Sequence, residues 1–204
     1  MNEKILININ DVLSKNKNII LIPHSSPDAD ALGSCLALYH FFKDENNVNI
    51  ISPNQYTDIL NFLPGSKSVL VFDNEKEKST NLLKNADIIF TLDFNSLSRA
   101  RNLSNLISKS SAKIIMIDHH ENPDKYADIM ISDSKMSSTC EMVYDFIYLI
   151  DKNKINNKIA TCLYTGIVAD TGSFRYPSTT SKTLKTGAEL INYGVNVTEI
   201  YEKL

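Results

Sequence analysis

Residues 18–42 read NIILIPHSSPDADALGSCLALYHFF, and the fold turns on how this stretch divides. The run NIILIP is continuously apolar and rich in β-branched residues, the pattern of a strand covered by helices on both faces. From Asp30 onward, Leu32, Cys35, Leu36, Tyr39 and Phe42 recur at helical spacing. Between strand and helix, the segment HSSPDADALGS (24–34) gathers His24, Asp28 and Asp30. A strand that ends in a polar loop and re-enters as an amphipathic helix is one β-α unit.

The same grammar repeats downstream. VNIIS (48–52), SVLVFD (68–73), DIIFTLD (87–93) and AKIIMID (112–118) read as further strands. NEKEKSTNLLKNA (74–86) and SLSRARNLSNLISKS (96–110) read as the helices between them, NEKEK being a solvated face. The alternation predicts an α/β fold: a mostly parallel, Rossmann-like sheet flanked by helices on both faces. Beyond residue 121 the pattern turns more helical. ADIMIS (127–132) is a strand, and Ser138 with Glu141 has capping-box spacing before the helix TCEMVYDFIYLID (139–151). NKIATCLYTGIVA (157–169) ends at Asp170, SKTLKTGAELINYG (181–194) is stopped by Gly194, and VTEIYEKL opens one more helix.

At 204 residues and 43% hydrophobic, the chain can bury a full core. A net charge of −3 argues against a broad basic face tracking long duplex nucleic acid and favours small phosphorylated substrates. Cys35, Cys140 and Cys162 are odd in number, dispersed and set in apolar helical patterns, so they are expected as core thiols in a reducing compartment. MNEKILININ has no basic region followed by a long apolar one, and no run approaches the ~18 apolar residues of a membrane span. The expected location is the cytoplasm.

The ionisable residues fall at the ends of strands. His24 closes the first, Asp93 closes DIIFTLD, and Asp118, His119 and His120 close AKIIMID. In a parallel sheet these carboxyl ends share one edge, where ligand crevices form. Asp170, in GIVADTGSF, is offered by a helix end. Imidazole nitrogen mixed with carboxylate oxygen and no thiolate suits a pair of divalent ions, with Mn²⁺, Fe²⁺ or Co²⁺ more natural than Mg²⁺. Such a pair needs one shared oxygen ligand and can activate a water against a clamped phosphoryl group.

HSSPDADALGS (24–34), TLDFNSLSR (91–99), IDHH (117–120) and GIVADTGSFRY (166–176) resemble, in order, the four motifs of the DHH phosphoesterase superfamily. Within it, PDADALGS, SSTCE and DTGSFRY resemble the bacterial subfamily acting on short oligoribonucleotides and 3′-phosphoadenosine 5′-phosphate (PAP). The resemblance implies that His24, Asp28 and Asp93 hold one ion, and that Asp30, Asp93, His119 and Asp170 hold the other, with Asp93 bridging. It also implies that His120 faces the substrate phosphate and that Asp118 orients ligands from behind, making His120, Asp93 and Asp118 the catalytic group. Mn²⁺ is the expected metal. The implied substrates are short RNA or small nucleotide phosphoesters, with no membrane partner and room for a homodimer. Residues 1–190 are expected to form the catalytic domain. Residues 191–204 would lead toward the family's substrate-binding domain, whose GGGH motif does not occur in this sequence. Linear or cyclic dinucleotide phosphodiesterase and pyrophosphatase activity share the metal site and stay open, as does a non-catalytic nucleotide-binding module.

Plainer roles compete with these. Asp28 or Asp30 can cap the following helix, although capping needs only one of them. Asp93, Asp118 and Asp170 can begin turns. Arg99 and Arg175 are read as phosphate contacts against the alternative of solvated loop arginines. His40 reads as structural, and helix capping accounts for Ser138 and Thr139.

Overall fold

The computed structural model describes residues 16–204. The first 15 residues of the expected 1–190 domain lie outside the described residues. Strand β1 (Asn18–Pro23) leads through the HSSPD loop into helix α1 (Ala29–Phe42), as the opening stretch predicts. There follow β2 (Asn47–Ser52), β3 (Val69–Val71), α2 (Lys76–Lys84), β4 (Ile88–Leu92), α3 (Ser104–Ser108), β5 (Lys113–Asp118) and β6 (Ile129–Ser132). Helices α4 (Thr139–Asp151), α5 (Asn157–Asp170), α6 (Ser181–Asn192) and α7 (Val197–Lys203) complete the chain.

The six strands form one sheet in the order β3-β2-β1-β4-β5-β6, every pairing parallel. The order reverses between β1 and β4, where Ile19 pairs with Ile88 and Pro23 with Leu92. Connections leaving these two strands diverge, so a crevice opens at their carboxyl ends. The pleat sends alternate side chains into two cores. Ile19 and Leu21 join Leu36 of α1, Phe146 of α4 and Leu163 of α5 on one face, whereas Ile20 and Ile22 join Leu83 of α2 and Ile107 of α3 on the other. Both faces of β1 are thus dry, which is why its sequence lacks polar alternation.

Helices α1 and α5 cross at very short range. A Cβ built on Gly33 would lie 2.6 Å from the carbonyl oxygen of Cys162, and one on Gly166 would lie 2.3 Å from Cys140 Sγ and 3.0 Å from Asp30 Cα. Side chains at either position would force the helices apart. Cys35 of α1, Cys140 of α4 and Cys162 of α5 are buried free thiols, as expected. Among the described residues, no helix is long and apolar enough to cross a membrane.

Three local expectations are corrected. SLSRARNLSNLISKS is not one helix: Leu97–Leu103 is 3-10, Arg101 breaks it at φ 47° and ψ −120°, and α3 occupies only Ser104–Ser108. Tertiary bonds overrule the propensity there, since the Arg99 carbonyl accepts from Ser25 N at 2.8 Å and the Ser104 hydroxyl caps Leu97 O. Strand β3 is shorter than SVLVFD because, as an edge strand, it has only β2 to hold it. Ser138 caps α4 through Glu141 N, yet the Glu141 carboxylate turns to Ser137 and Thr183, so only half a capping box forms. A complete box forms instead at Thr180 and Thr183, heading α6. Helix α6 runs across residues 190 and 191. Beyond it, Gly194 (φ 87°) accepts from Asn157 Nδ2, and Ile200 of α7 is buried in the core.

Candidate metal centre

Three neighbouring strands, β1, β4 and β5, end at the crevice, and the residue after each is ionisable. His24 follows β1, Asp93 follows β4, and His119 and His120 follow β5 behind Asp118. Asp93 sits in the left-handed region (φ 65°), uncommon for a residue other than glycine, while its amide still donates to Ile117 O at 3.0 Å. This bend carries its carboxylate from the sheet edge into the crevice. Both carboxylate oxygens are used: Oδ2 lies 3.4 Å from His24 Nε2, and Oδ1 lies 3.6 Å from His119 Nε2.

The donors therefore separate into two groups sharing Asp93. In the first, His24 Nε2 is also 3.6 Å from Asp28 Oδ2. Asp28 does both jobs open to it: Oδ1 caps α1 by accepting from the amides of Asp30 and Ala31, while Oδ2 faces the histidine. In the second, His119 Nε2 lies 3.2 Å from Asp170 Oδ2 and 4.0 Å from Asp30 Oδ2. Asp170 is the last residue of α5, which projects its carboxylate to the same place. Donor atoms of His24, Asp28 and Asp93 lie within 4.8 Å of one another, as do those of Asp30, His119 and Asp170. The residues singled out by the motifs are thus brought together in two neighbouring clusters.

A third grouping within the same limit joins Asp93, His119 and His120, but His120 has no nitrogen to spare. Its Nδ1 is 2.7 Å from Asp118 Oδ1 and its Nε2 is 3.0 Å from Arg99 Nη1. A guanidinium only donates, so Nε2 accepts and Nδ1–H donates to Asp118. His24 and His119 are held by the same nitrogen but leave Nε2 to the carboxylates. Their Nδ1 atoms lie 2.9 Å from Ser25 O and 3.3 Å from Met136 O, so each donates to a backbone carbonyl and turns Nε2 toward the carboxylates.

The electrostatics fit a dication. Burial raises the Asp30 carboxyl well above its ordinary value, and Asp93 and Asp170 add to the rise. Asp93 is raised by burial too, against the pull of His24. Burial opposes charge on His24, but Asp28 and Asp93 outweigh it and hold the imidazolium up to about 10. His119 is likewise raised to about 9, by Asp170, Asp30 and Asp93 against burial. Asp28, although desolvated, is held down at about 2 by His24 and the capping amides. Crowded carboxylates that cannot all ionise alone, faced by histidines presenting the same nitrogen, are a donor set that positive charge from ions would relieve.

Arg99 and Arg175 part company. Arg99 reaches the centre through His120, whereas Arg175 is exposed and spends its Nε on the Gly172 carbonyl at 2.7 Å within its own loop. His40 donates to Pro64 O from a buried position, away from the crevice, as a structural residue. Thr139, assigned by sequence to capping, donates through Oγ1 to Asp93 Oδ1 at 2.9 Å, and its amide and that of Cys140 donate to the two oxygens of Asp30. Only the polarity of SSTCE hinted at this.

With this geometry in place, comparison with known proteins is informative. The model of the DHH family, N-terminal domain, matches residues 18–167. The chain is 35% identical over 196 residues to the bifunctional oligoribonuclease and PAP phosphatase of Bacillus subtilis, covering 94% of this chain and 58% of that protein. It is 31% identical to the Thermus thermophilus protein of the same name, covering 91% and 53%. The crystal structure of an exopolyphosphatase-related protein from Bacteroides fragilis superposes with a TM-score of 0.96 at 36% identity, over 99% of this chain and 60% of that one. The chain thus spans little more than half the length of the relatives it matches.

Proposed function

The chain belongs to the DHH family, and from that premise we propose that it is a cytoplasmic metal-dependent phosphoesterase, hydrolysing short oligoribonucleotides and the 3′-phosphomonoester of PAP. The observation that carries the reading is Asp93, whose two carboxylate oxygens face two separate donor groups. That is the arrangement a bridging ligand requires. His24, Asp28 and Asp93 would hold one ion and Asp30, Asp93, His119 and Asp170 the other, with Mn²⁺ preferred for a set of nitrogen and oxygen donors. Two ions bound there would supply an activated water and a clamp drawing charge from the phosphoryl oxygens.

The protein's own groups do the rest. Arg99 and His120 lie side by side at the open rim of the second group, where a phosphoryl oxygen meets the guanidinium N–H groups. Asp118, fully buried, accepts the Nδ1 proton of His120 and so fixes which nitrogen faces the substrate. His120 Nε2 is then free to hold or release a proton as Arg99 turns to the phosphate. The names of the relatives support PAP and short RNA as substrates. In the same reading, residues 1–190 are the catalytic unit and residues 191–204 lead toward a substrate-binding domain.

The test is product analysis of the purified chain with and without Mn²⁺, on PAP, a two-to-five-nucleotide RNA, a cyclic dinucleotide and pyrophosphate. Mn²⁺-dependent release of AMP and mononucleotides is expected. Turnover confined to the cyclic dinucleotide or pyrophosphate would move the protein to another branch of phosphoester chemistry. Binding without turnover on any substrate would make it a nucleotide-binding module.

A further inference from the structure

Glu141 touches none of the donor atoms of the metal centre, yet it is a carboxylate only 1% exposed, in the first turn of α4. Three donors converge on its Oε2: Ser137 Oγ at 2.6 Å, Ser137 N at 3.3 Å and Thr183 Oγ1 at 3.0 Å. Its Oε1 is buried without a hydrogen bond, and Lys182 Nζ, at 4.0 Å, is engaged with Asp145. Burying a carboxylate with one oxygen unsatisfied is costly, and a Thr or Ser at this position would serve a helix turn without that cost.

What Glu141 grips explains its presence. The segment Met136–Cys140 supplies four contacts to the centre. Met136 O takes His119 Nδ1, the amides of Thr139 and Cys140 donate to the two oxygens of Asp30, and Thr139 Oγ1 donates to Asp93. Ser137 lies between the first of these and the others, and both its amide and its hydroxyl end on Glu141. In contrast, His24 is oriented by Ser25 O, and Asp28 by the amides of its own helix. The segment therefore serves one half of the centre.

We propose that Glu141 is a positioning residue that clamps the Met136–Cys140 segment and thereby sets the geometry of Asp30 and His119. It selects for the second ion while leaving the His24 and Asp28 side alone. Releasing the clamp frees Met136 O from His119, so the ring loses the bond that keeps its proton on Nδ1 and its Nε2 turned inward. The inference rests on the two-ion reading above, so its test measures both.

Mn²⁺ binding is followed by electron paramagnetic resonance and calorimetry for the wild type, Glu141→Ala, Ser137→Ala and Thr183→Val, with the His119 tautomer read by ¹⁵N NMR in the metal-free proteins at alkaline pH, where the ring has lost its second proton. The wild type should bind two ions. Glu141→Ala and Ser137→Ala should weaken the second ion by about 10- to 100-fold, the range for groups that orient metal ligands, and leave the first within a few-fold. Their His119 signals should shift from a pure Nδ1–H form to a mixture. Thr183→Val, which removes one of three donors, should lie between these and the wild type. Equal weakening of both ions, or none, would overturn the clamp, as would an unchanged His119 tautomer. Should Glu141→Ala fail to fold, Ser137→Ala decides alone. A wild type that binds no second ion would refute the two-ion reading, while the tautomer measurement still judges the clamp.

Discussion

Single residues divide the labour at this centre in ways that substitution can separate. Asp93→Asn removes charge from between both donor groups, so it should weaken both ions and lower turnover by about 10²-fold or more, beyond Asp28→Asn, which touches one group. Mn²⁺ titration beside an activity assay ranks them, and an Asp93→Asn protein that is folded and near wild-type would refute the bridge. His119→Ala should lose an ion. His120→Ala, whose nitrogens are committed to Asp118 and Arg99, should keep both and lose turnover by about 10²–10⁴-fold. The histidines also set a pH dependence. His24 and His119 hold their protons up to about 10 and about 9, above the ordinary 6.5. Their stabilisation of the metal-free fold is complete below pH 6.5 and falls away as pH climbs toward 9 and 10. Ions must displace the same protons. Binding at pH 7.5 should therefore release one from each histidine, with affinity rising about tenfold per pH unit for each proton displaced. Calorimetry in buffers of differing ionisation enthalpy measures the release, and none detected would mean that the histidines are neutral beforehand.

Elements decide how closely those residues can approach. Helix α5 brings Asp170 to the crevice only because Gly166, one turn earlier, lets the helix lie against Asp30. Gly166→Ala should cost about 1–3 kcal/mol, a fall in Tm on the order of 5 °C, and should weaken ion binding as Asp30 is pushed aside. Gly187→Ala is a milder control, since its nearest new neighbour is the Phe174 ring at 3.2 Å. Thermal melts with and without Mn²⁺ compare the two, and equal effects would deny Gly166 its special place. The strands and α4 were legible in the sequence because local pattern and tertiary setting agree there: NIILIP is β1 to the residue, and TCEMVYDFIYLID is α4. Residues 96–110 were not, because the bonds that break that helix come from Ser25, some 70 positions away, and no periodicity records them. The donor residues were legible for the opposite reason: acids and histidines have little cause to end apolar strands unless something there uses them. The spacing of Ser138 and Glu141 yields only half a capping box, because the Glu141 carboxylate is taken by Ser137 and by Thr183, which lies on another helix.

At the scale of the whole molecule, the groups proposed for recognition, Arg99, His120 and the donor clusters, carry chemistry suited to phosphate. Residues 1–204 expressed alone should therefore hydrolyse PAP, a trinucleotide RNA and a generic aryl phosphodiester with kcat/KM values within about tenfold of one another. A strong preference for one would reveal a base site that these groups do not supply. The reversal of strand order between β1 and β4 has a consequence for how the molecule comes into being. The central pairing joins Ile19 to Ile88, and the donor set begins at residue 24 and ends at residue 170. A chain emerging from the ribosome carries a dry, two-faced strand long before its partner exists, and the last ligand emerges only with the end of α5. Such late, long-range closure slows folding and leaves NIILIP open to misassociation in the meantime. Once closed, the fold would gain stability from any ion it binds, by mass action. The free metal concentration of the cell would thus govern how much of the newly made protein survives as well as how fast it turns over.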